Sequence, residues 1–177
     1  MRHVQLFVVI LAAFAADQIS KAAALVLLGL GTPVAVFPGL NFTLGFNEGV
    51  SFGMLSGIME GRPLTLAAIT SAITVWFAFI AVRSSIGLER FGFALIVGGS
   101  LGNIFDRLRQ GAVTDFLDIN WSNWRWPTFN IADVAIVVGA VAVLASLWLG
   151  RARTMGTTSV ASEAETAVPN RTDIPSS

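Results

Sequence analysis

The sequence predicts an all-α membrane protein: four transmembrane helices with a short β segment outside the bilayer. Three observations lead there. Of the 177 residues, 54% are hydrophobic and only 12% are charged, too few charges to cover a soluble domain of this size. Long apolar stretches recur four times along the chain. The acidic residues are also not scattered: of 11 Asp and Glu, Asp106, Asp115, Asp118 and Asp133 all fall in the stretch that joins the last two apolar segments.

The first span starts at Val4. Met1-Arg2-His3 followed by an apolar run to Ala16, with small residues at Ala13, Ala15 and Ala16, has the features of a signal peptide. A permanent helix is the competing reading, because hydrophobicity resumes at Ala22 after Asp17-Gln18-Ile19-Ser20-Lys21. Asp17 and Lys21 are four apart, where a helix lets acid and base neutralise each other. Gly29, Gly31, Pro33 and Pro38 then interrupt the helix. From Asn41 to Asn47 apolar Phe42, Leu44 and Phe46 alternate with Asn41, Thr43, Gly45 and Asn47, the period of a half-buried strand. Residues 63–82 form the second span, without an internal charge. The third covers about 91–108; Gly98 and Gly102 on it make a small face that admits another helix. The fourth runs over 132–150, and residues 151–177, polar and containing Pro169 and Pro175, read as a disordered cytoplasmic tail.

Composition excludes much. The 11 basic residues balance the 11 acidic ones, which argues against nucleic acid as a partner. No cysteine is present and His3 is the single histidine, so thiolate chemistry, Ser–His–Asp catalysis and histidine zinc sites are excluded. Four crossings put Arg2, Arg83, Arg90, Arg151 and Arg153 on one side and Arg62, Arg109 and Arg125 on the other; the bias favours cytoplasmic termini. The 29–62 segment and the 109–131 connection are then extracytoplasmic. Asp17, about 20 Å along the first helix, lies in the same outer half.

Each polar constellation has a plain structural reading beside the chemical one. Asp115 could be a solvated loop acid, although Val113 and Phe116 flank it and burial there demands partners. Asn130 could cap the last helix with Asp133 at its third position, and a capped helix start is also a rigid mount for a catalytic acid. Asn103 and Arg107 share a helix face, and Asp106 with a snorkelling Arg107 could be an interfacial ion pair. Trp121, Trp124 and Trp126 read as interfacial anchors. Chemically, two carboxylates brought close share one proton. The ionised member can then activate water while the other protonates a carbonyl, as in aspartic proteases, with neither metal nor cofactor.

Five motifs resemble lipoprotein signal peptidase, the bacterial signal peptidase II family: Asp17-Gln18-Ile19-Ser20-Lys21, Asn47-Glu48-Gly49-Val50-Ser51-Phe52, Gly98 through Arg107, Val113-Thr114-Asp115-Phe116, and Phe129-Asn130-Ile131-Ala132-Asp133. The resemblance covers roughly residues 4–150, as one peptidase domain, and favours the permanent first helix. It implies four transmembrane helices with a small extracytoplasmic β cradle. The implied activity is an aspartic endopeptidase of the inner membrane that cuts lipid-modified prolipoproteins before the lipidated cysteine. Catalytic roles fall on Asp115 and Asp133, supporting roles on Asn47, Gly49, Asn103, Arg107 and Asn130, and structural roles on Asp17, Lys21 and Asp106. Ser51 stands where the family often has alanine. Partners implied are prolipoprotein signal peptides and membrane lipids, for a monomer without cofactor or metal. Two rival classes remain: a proton- or ion-coupled transporter using Asp17, Asp106 and Asp133, and a lipid enzyme holding magnesium on these carboxylates.

Overall fold

A computed structural model describes residues 2–49, 62–121 and 124–166. The chain order is α1 (Arg2–Leu27), β1 (Val34–Phe37), β2 (Leu40–Asn47), α2 (Pro63–Arg83), α3 (Gly87–Gln110), β3 (Val113–Trp121), β4 (Trp124–Arg125) and α4 (Ile131–Thr166). The protein is mostly helical with one small antiparallel sheet. Ser51 and the rest of the 50–61 segment lie outside the described residues.

Helix boundaries follow local chemistry. Pro63 opens α2 at a position whose missing N–H costs nothing, and the Ser84 amide closes it on the Ile80 carbonyl at 2.8 Å. Gly111, with φ of 80°, ends α3 in the left-handed conformation a side chain resists. Arg107 and Arg109 lie in that last turn, where cations favour the helix dipole. At the start of α4 the Asn130 Oδ1 accepts from the Asp133 amide at 3.0 Å, and Asp133 Oδ2 accepts from the Asn130 amide at 3.2 Å. This reciprocal capping box is the cap expected from the spacing.

Among the described residues three helices are long and apolar enough to cross a membrane: His3–Leu27, Pro63–Arg83 and Ile131–Gly150. The third expected span, now α3, is not among them, and the reason is its place. It packs against α1, α2 and α4, so it faces protein where the others face outward. Its glycines mark the close approaches. A Cβ on Gly92 would come within 2.6 Å of the Gly139 carbonyl, one on Gly98 within 2.6 Å of the Ile10 carbonyl, and one on Gly99 within 2.5 Å of the Ala132 carbonyl. Outward faces carry large apolar side chains instead: Phe7, Leu11, Val75, Trp76, Val141, Leu144 and Trp148 are all exposed, as lipid contact requires.

The sheet order is β1-β2-β3-β4, antiparallel throughout. The strand expected over 41–47 is β2. Its neighbour β3 replaces the loop considered for Asp115. The sequence hid it because Val113, Thr114, Asp115, Phe116 and Asp118 are all buried, so no apolar–polar alternation survives. Ala24 of α1, Leu44 of β2 and Phe116 of β3 form a core beneath the sheet, with Phe42 edge-on to Phe116 at 6.3 Å. After β4 the chain runs back along β3, with Trp126 N–H bonded to Ile119 O and Phe129 exchanging bonds with Leu117. That return delivers Asn130 beside Asp115. Beyond Gly150 the backbone stays helical through Thr166 rather than lacking regular structure from 151. Extension of a formed helix needs no new nucleus, and the next proline is Pro169; residues 167–177 lie outside the described residues.

Candidate active site

The ten site residues expected from the sequence come together where α1, α3, β3 and α4 meet the end of β2. Asp115 sits on β3, 2% exposed. Its two oxygens accept from Asn130 Nδ2 at 2.7 Å and Asn47 Nδ2 at 3.2 Å. Asp133 projects from the first turn of α4, and its Oδ1 accepts from Asn103 Nδ2 at 2.9 Å. Asn130 and Asn103 join the two acids. Asn130 Nδ2 also donates to Asn103 Oδ1 at 3.2 Å, so one chain of amides runs from one carboxylate to the other. Burial pushes the Asp115 carboxyl up, and the charge of Asp133 adds to this. Donation from Asn130 and Asn47 and the field of Lys21 offset part, leaving it at about 7.

Beneath this pair lies a buried charge cluster. Lys21 Nζ meets Asp17 Oδ2 at 2.8 Å, Asp106 Oδ2 at 3.0 Å and Asn103 Oδ1 at 3.0 Å, which uses all three of its protons. The Asp17–Lys21 pair is the one the spacing suggested. Asp106 differs from expectation: it pairs with Lys21, not Arg107. Adjacent residues on a helix point about 100° apart, and α1 supplies the cation instead. Asp17 also accepts from the Ala132 amide at 2.9 Å, and Asp106 from the Thr114 amide at 3.0 Å, so the cluster ties α1, α3, β3 and α4 together. Gly102 has no side chain because any Cβ would meet the Asp17 carboxylate.

Arg107 reaches over the acids from α3. It donates to the Gly49 carbonyl at 3.0 Å and to the Asn103 carbonyl at 3.3 Å. The Gly49 amide in turn bonds Asn47 Oδ1 at 3.1 Å. The guanidinium feels Asp115, Asp133 and Asp106, and its buried Nε has no hydrogen-bond partner among the described residues. Beside Asp133 opens a cavity of about 510 Å³, walled by Ile119, Trp124 and Trp126 on one side and by Val134 and Val137 of α4 on the other.

A family model described as signal peptidase (SPase) II matches residues 9–149. The chain belongs to that family. Relatives bear this out. A lipoprotein signal peptidase of Polynucleobacter necessarius is 40% identical over 131 residues, 72% of this chain and 79% of its own. Another, of Coxiella burnetii, is 39% identical over 135 residues, 75% and 83% of the two chains. Among solved structures, a bacterial membrane enzyme determined by the in meso method at 2.3 Å superposes with a TM-score of 0.72 at 22% identity, over 97% of this chain and 94% of that one. A second, at 1.9 Å, gives 0.71 at 26% identity, over 81% and 92%. The first likeness concerns the fold alone. Membership makes this a protease family member built to sit in a membrane by several passes.

Sequence reasoning missed some of the site. Gln18, inside a motif but given no role, bridges Asp17 and Asp106 at 3.1 Å each. Asp118 and Thr43, both buried, form a separate knot with the exposed Arg125. No spacing rule signals it, since Thr43 lies 75 residues from Asp118 and Arg125 reaches it only once β4 has turned back on β3.

Proposed function

We propose that the protein is a membrane-embedded aspartic endopeptidase that removes signal peptides from diacylglyceryl-modified prolipoproteins, cutting before the lipidated cysteine. One observation carries the reading: Asp115 and Asp133 are joined through the amides of Asn130 and Asn103, with the charge of Asp133 helping to hold Asp115 near neutrality. Asp133 is the ionised partner and takes a proton from the attacking water. Asp115 keeps the shared proton and donates it as the peptide bond opens. Two asparagines whose amides are already committed cannot rotate freely, so the acids need little rearrangement at the moment of reaction. Arg107 Nε, without a partner among the described residues, is a donor for a substrate carbonyl, and the Gly49 carbonyl that Arg107 grips lies on the chain leading into the 50–61 segment. Lys21, Asp17 and Asp106 hold the four elements in place.

Residues 1–150 make up the peptidase domain under this reading. α3 is the fourth crossing, its composition diluted by the polar groups it contributes. The termini lie in the cytoplasm, and the site opens at the extracytoplasmic face, where the arginine bias and the outer position of Asp17 agree. The chain acts as a monomer on lipidated prolipoproteins drawn from the surrounding lipid.

The deciding experiment is cleavage of a purified, lipidated preprolipoprotein in detergent. Asp115→Asn and Asp133→Asn should each lower kcat by more than about 10²-fold, the usual weight of a positioned acid or base, while the protein still folds and inserts. Substantial turnover by either variant refutes the assignment. EDTA should leave the rate unchanged; loss of activity would favour a magnesium-dependent lipid enzyme.

A further inference from the structure

Asp118 is a buried carboxylate for which the catalytic reading has no use. Fully enclosed, it accepts from Thr43 Oγ1 at 2.8 Å through Oδ2. Among the described residues its Oδ1 takes no hydrogen bond, and it faces Arg125 Nε at 3.3 Å. The three residues come from adjacent strands, β2, β3 and β4. Arg125 stands opposite Asn120, so its ion pair with Asp118 runs diagonally across the ladder on one face of the sheet.

By strand alternation Ile119 and Trp124 belong to the opposite face. With Trp126, whose ring centroid lies 5.5 Å from that of Trp124, they wall the 510 Å³ cavity against α4. Asp133 lines the same cavity. The β3–β4 ribbon therefore carries an apolar wall in front and a charged tie behind. Arg125 is 59% exposed and Asp118 not at all. An exposed ion pair adds little stability by itself, but this one is lopsided: without the cation, a carboxylate stays buried with one oxygen bare.

We propose that Asp118 and Arg125 are positioning residues for substrate binding, holding the tryptophan ribbon from behind at the spacing from α4 that the substrate's apolar segment needs. The inference rests on the peptidase reading above. Its occupant is the hydrophobic stretch of the signal peptide next to the scissile bond. The cavity is continuous with Asp133, its wall residues other than Thr128 and Asp133 are apolar, and a signal peptide brings an apolar run of roughly 7–15 residues. Neither member of the pair touches the reacting atoms, so its effect falls on KM.

The test uses the full-length protein in detergent with a lipidated preprolipoprotein. Arg125→Ala should raise KM about fivefold with kcat within about twofold, and Arg125→Lys should bring KM back to within about twofold of the starting value. Tryptophan emission should shift to the red in the alanine variant and return in the lysine variant. Asp118→Asn combined with Arg125→Ala removes the stranded charge, so thermal stability recovers while KM stays raised. An unchanged KM in Arg125→Ala, or a double variant in which KM recovers together with stability, overturns the proposal. A substrate whose apolar signal-peptide residues are replaced by serine should show no KM difference between Arg125→Ala and the parent; a difference that persists places another occupant, such as an acyl chain, in the cavity and sinks the assignment. Asp115→Asn is assayed alongside. Activity there defeats the peptidase reading, whereas an inactive Asp115→Asn with a normal Arg125→Ala removes only the clamp.

Discussion

A carboxyl group on a buried strand, facing a second acid, holds its proton far longer than one in water. Asp115, raised from 3.8 to about 7, has two consequences whose signs differ from those of an ordinary aspartate. Its proton is the one donated in the proposed reaction, so kcat/KM should fall as pH rises through about 7, measured on the lipidated substrate. For stability, the folded protein retains between 3.8 and about 7 a proton that the unfolded chain has released. Asp115 therefore favours the fold at low pH, and that contribution is lost as pH climbs through its folded value. Asp115→Asn should then be inactive yet no less stable at pH 8, with a flatter thermal midpoint between pH 5 and 8. A midpoint that rises with pH in the parent protein over this range contradicts the account. The acid was visible in the sequence as a costly carboxylate between Val113 and Phe116; the asparagines that make it useful, from β2 and the start of α4, were not attached to it by any local pattern.

At the level of elements, the site depends on how closely helices approach. Gly99 leaves room for the first turn of α4, where a Cβ would meet the Ala132 carbonyl and Ile136. Asp133 follows Ala132 directly, so Gly99→Ala should push the turn that carries this acid outward. The expected loss of stability is about 1–3 kcal/mol, with a fall in kcat larger than that destabilisation implies; a shift in midpoint with full turnover contradicts this. The Gly98 and Gly102 face was legible as a helix-packing surface, and it packs on α1 at Ile10 and Asp17. Strand β3 was not legible. Alternation marks a half-buried strand, and β3 is covered on both sides for most of its length.

Across the whole molecule, three helices apolar enough to cross a membrane pack around a fourth that is not. The proposed topology makes a direct prediction, convenient because the chain has no cysteine. Single cysteines replacing Arg109 or Trp121 should react with a membrane-impermeant thiol reagent added outside spheroplasts, and one replacing Ser85 should not. Labelling of Ser85→Cys from outside, or of all three equally, contradicts four crossings with cytoplasmic termini.

The sequence by itself determined that this chain belongs in a bilayer, where its long helices lie, and which polar residues gather at one place, because hydropathy, capping and i,i+4 pairing are local properties. Tertiary structure alone decided the partners. Asp106 takes Lys21 rather than Arg107, Asn103 bridges to Asn130, and Asp118 is enclosed beneath Arg125. Each choice depends on which surfaces of distant segments are pressed together. Inside an apolar medium a charge must find its counterpart there or go without.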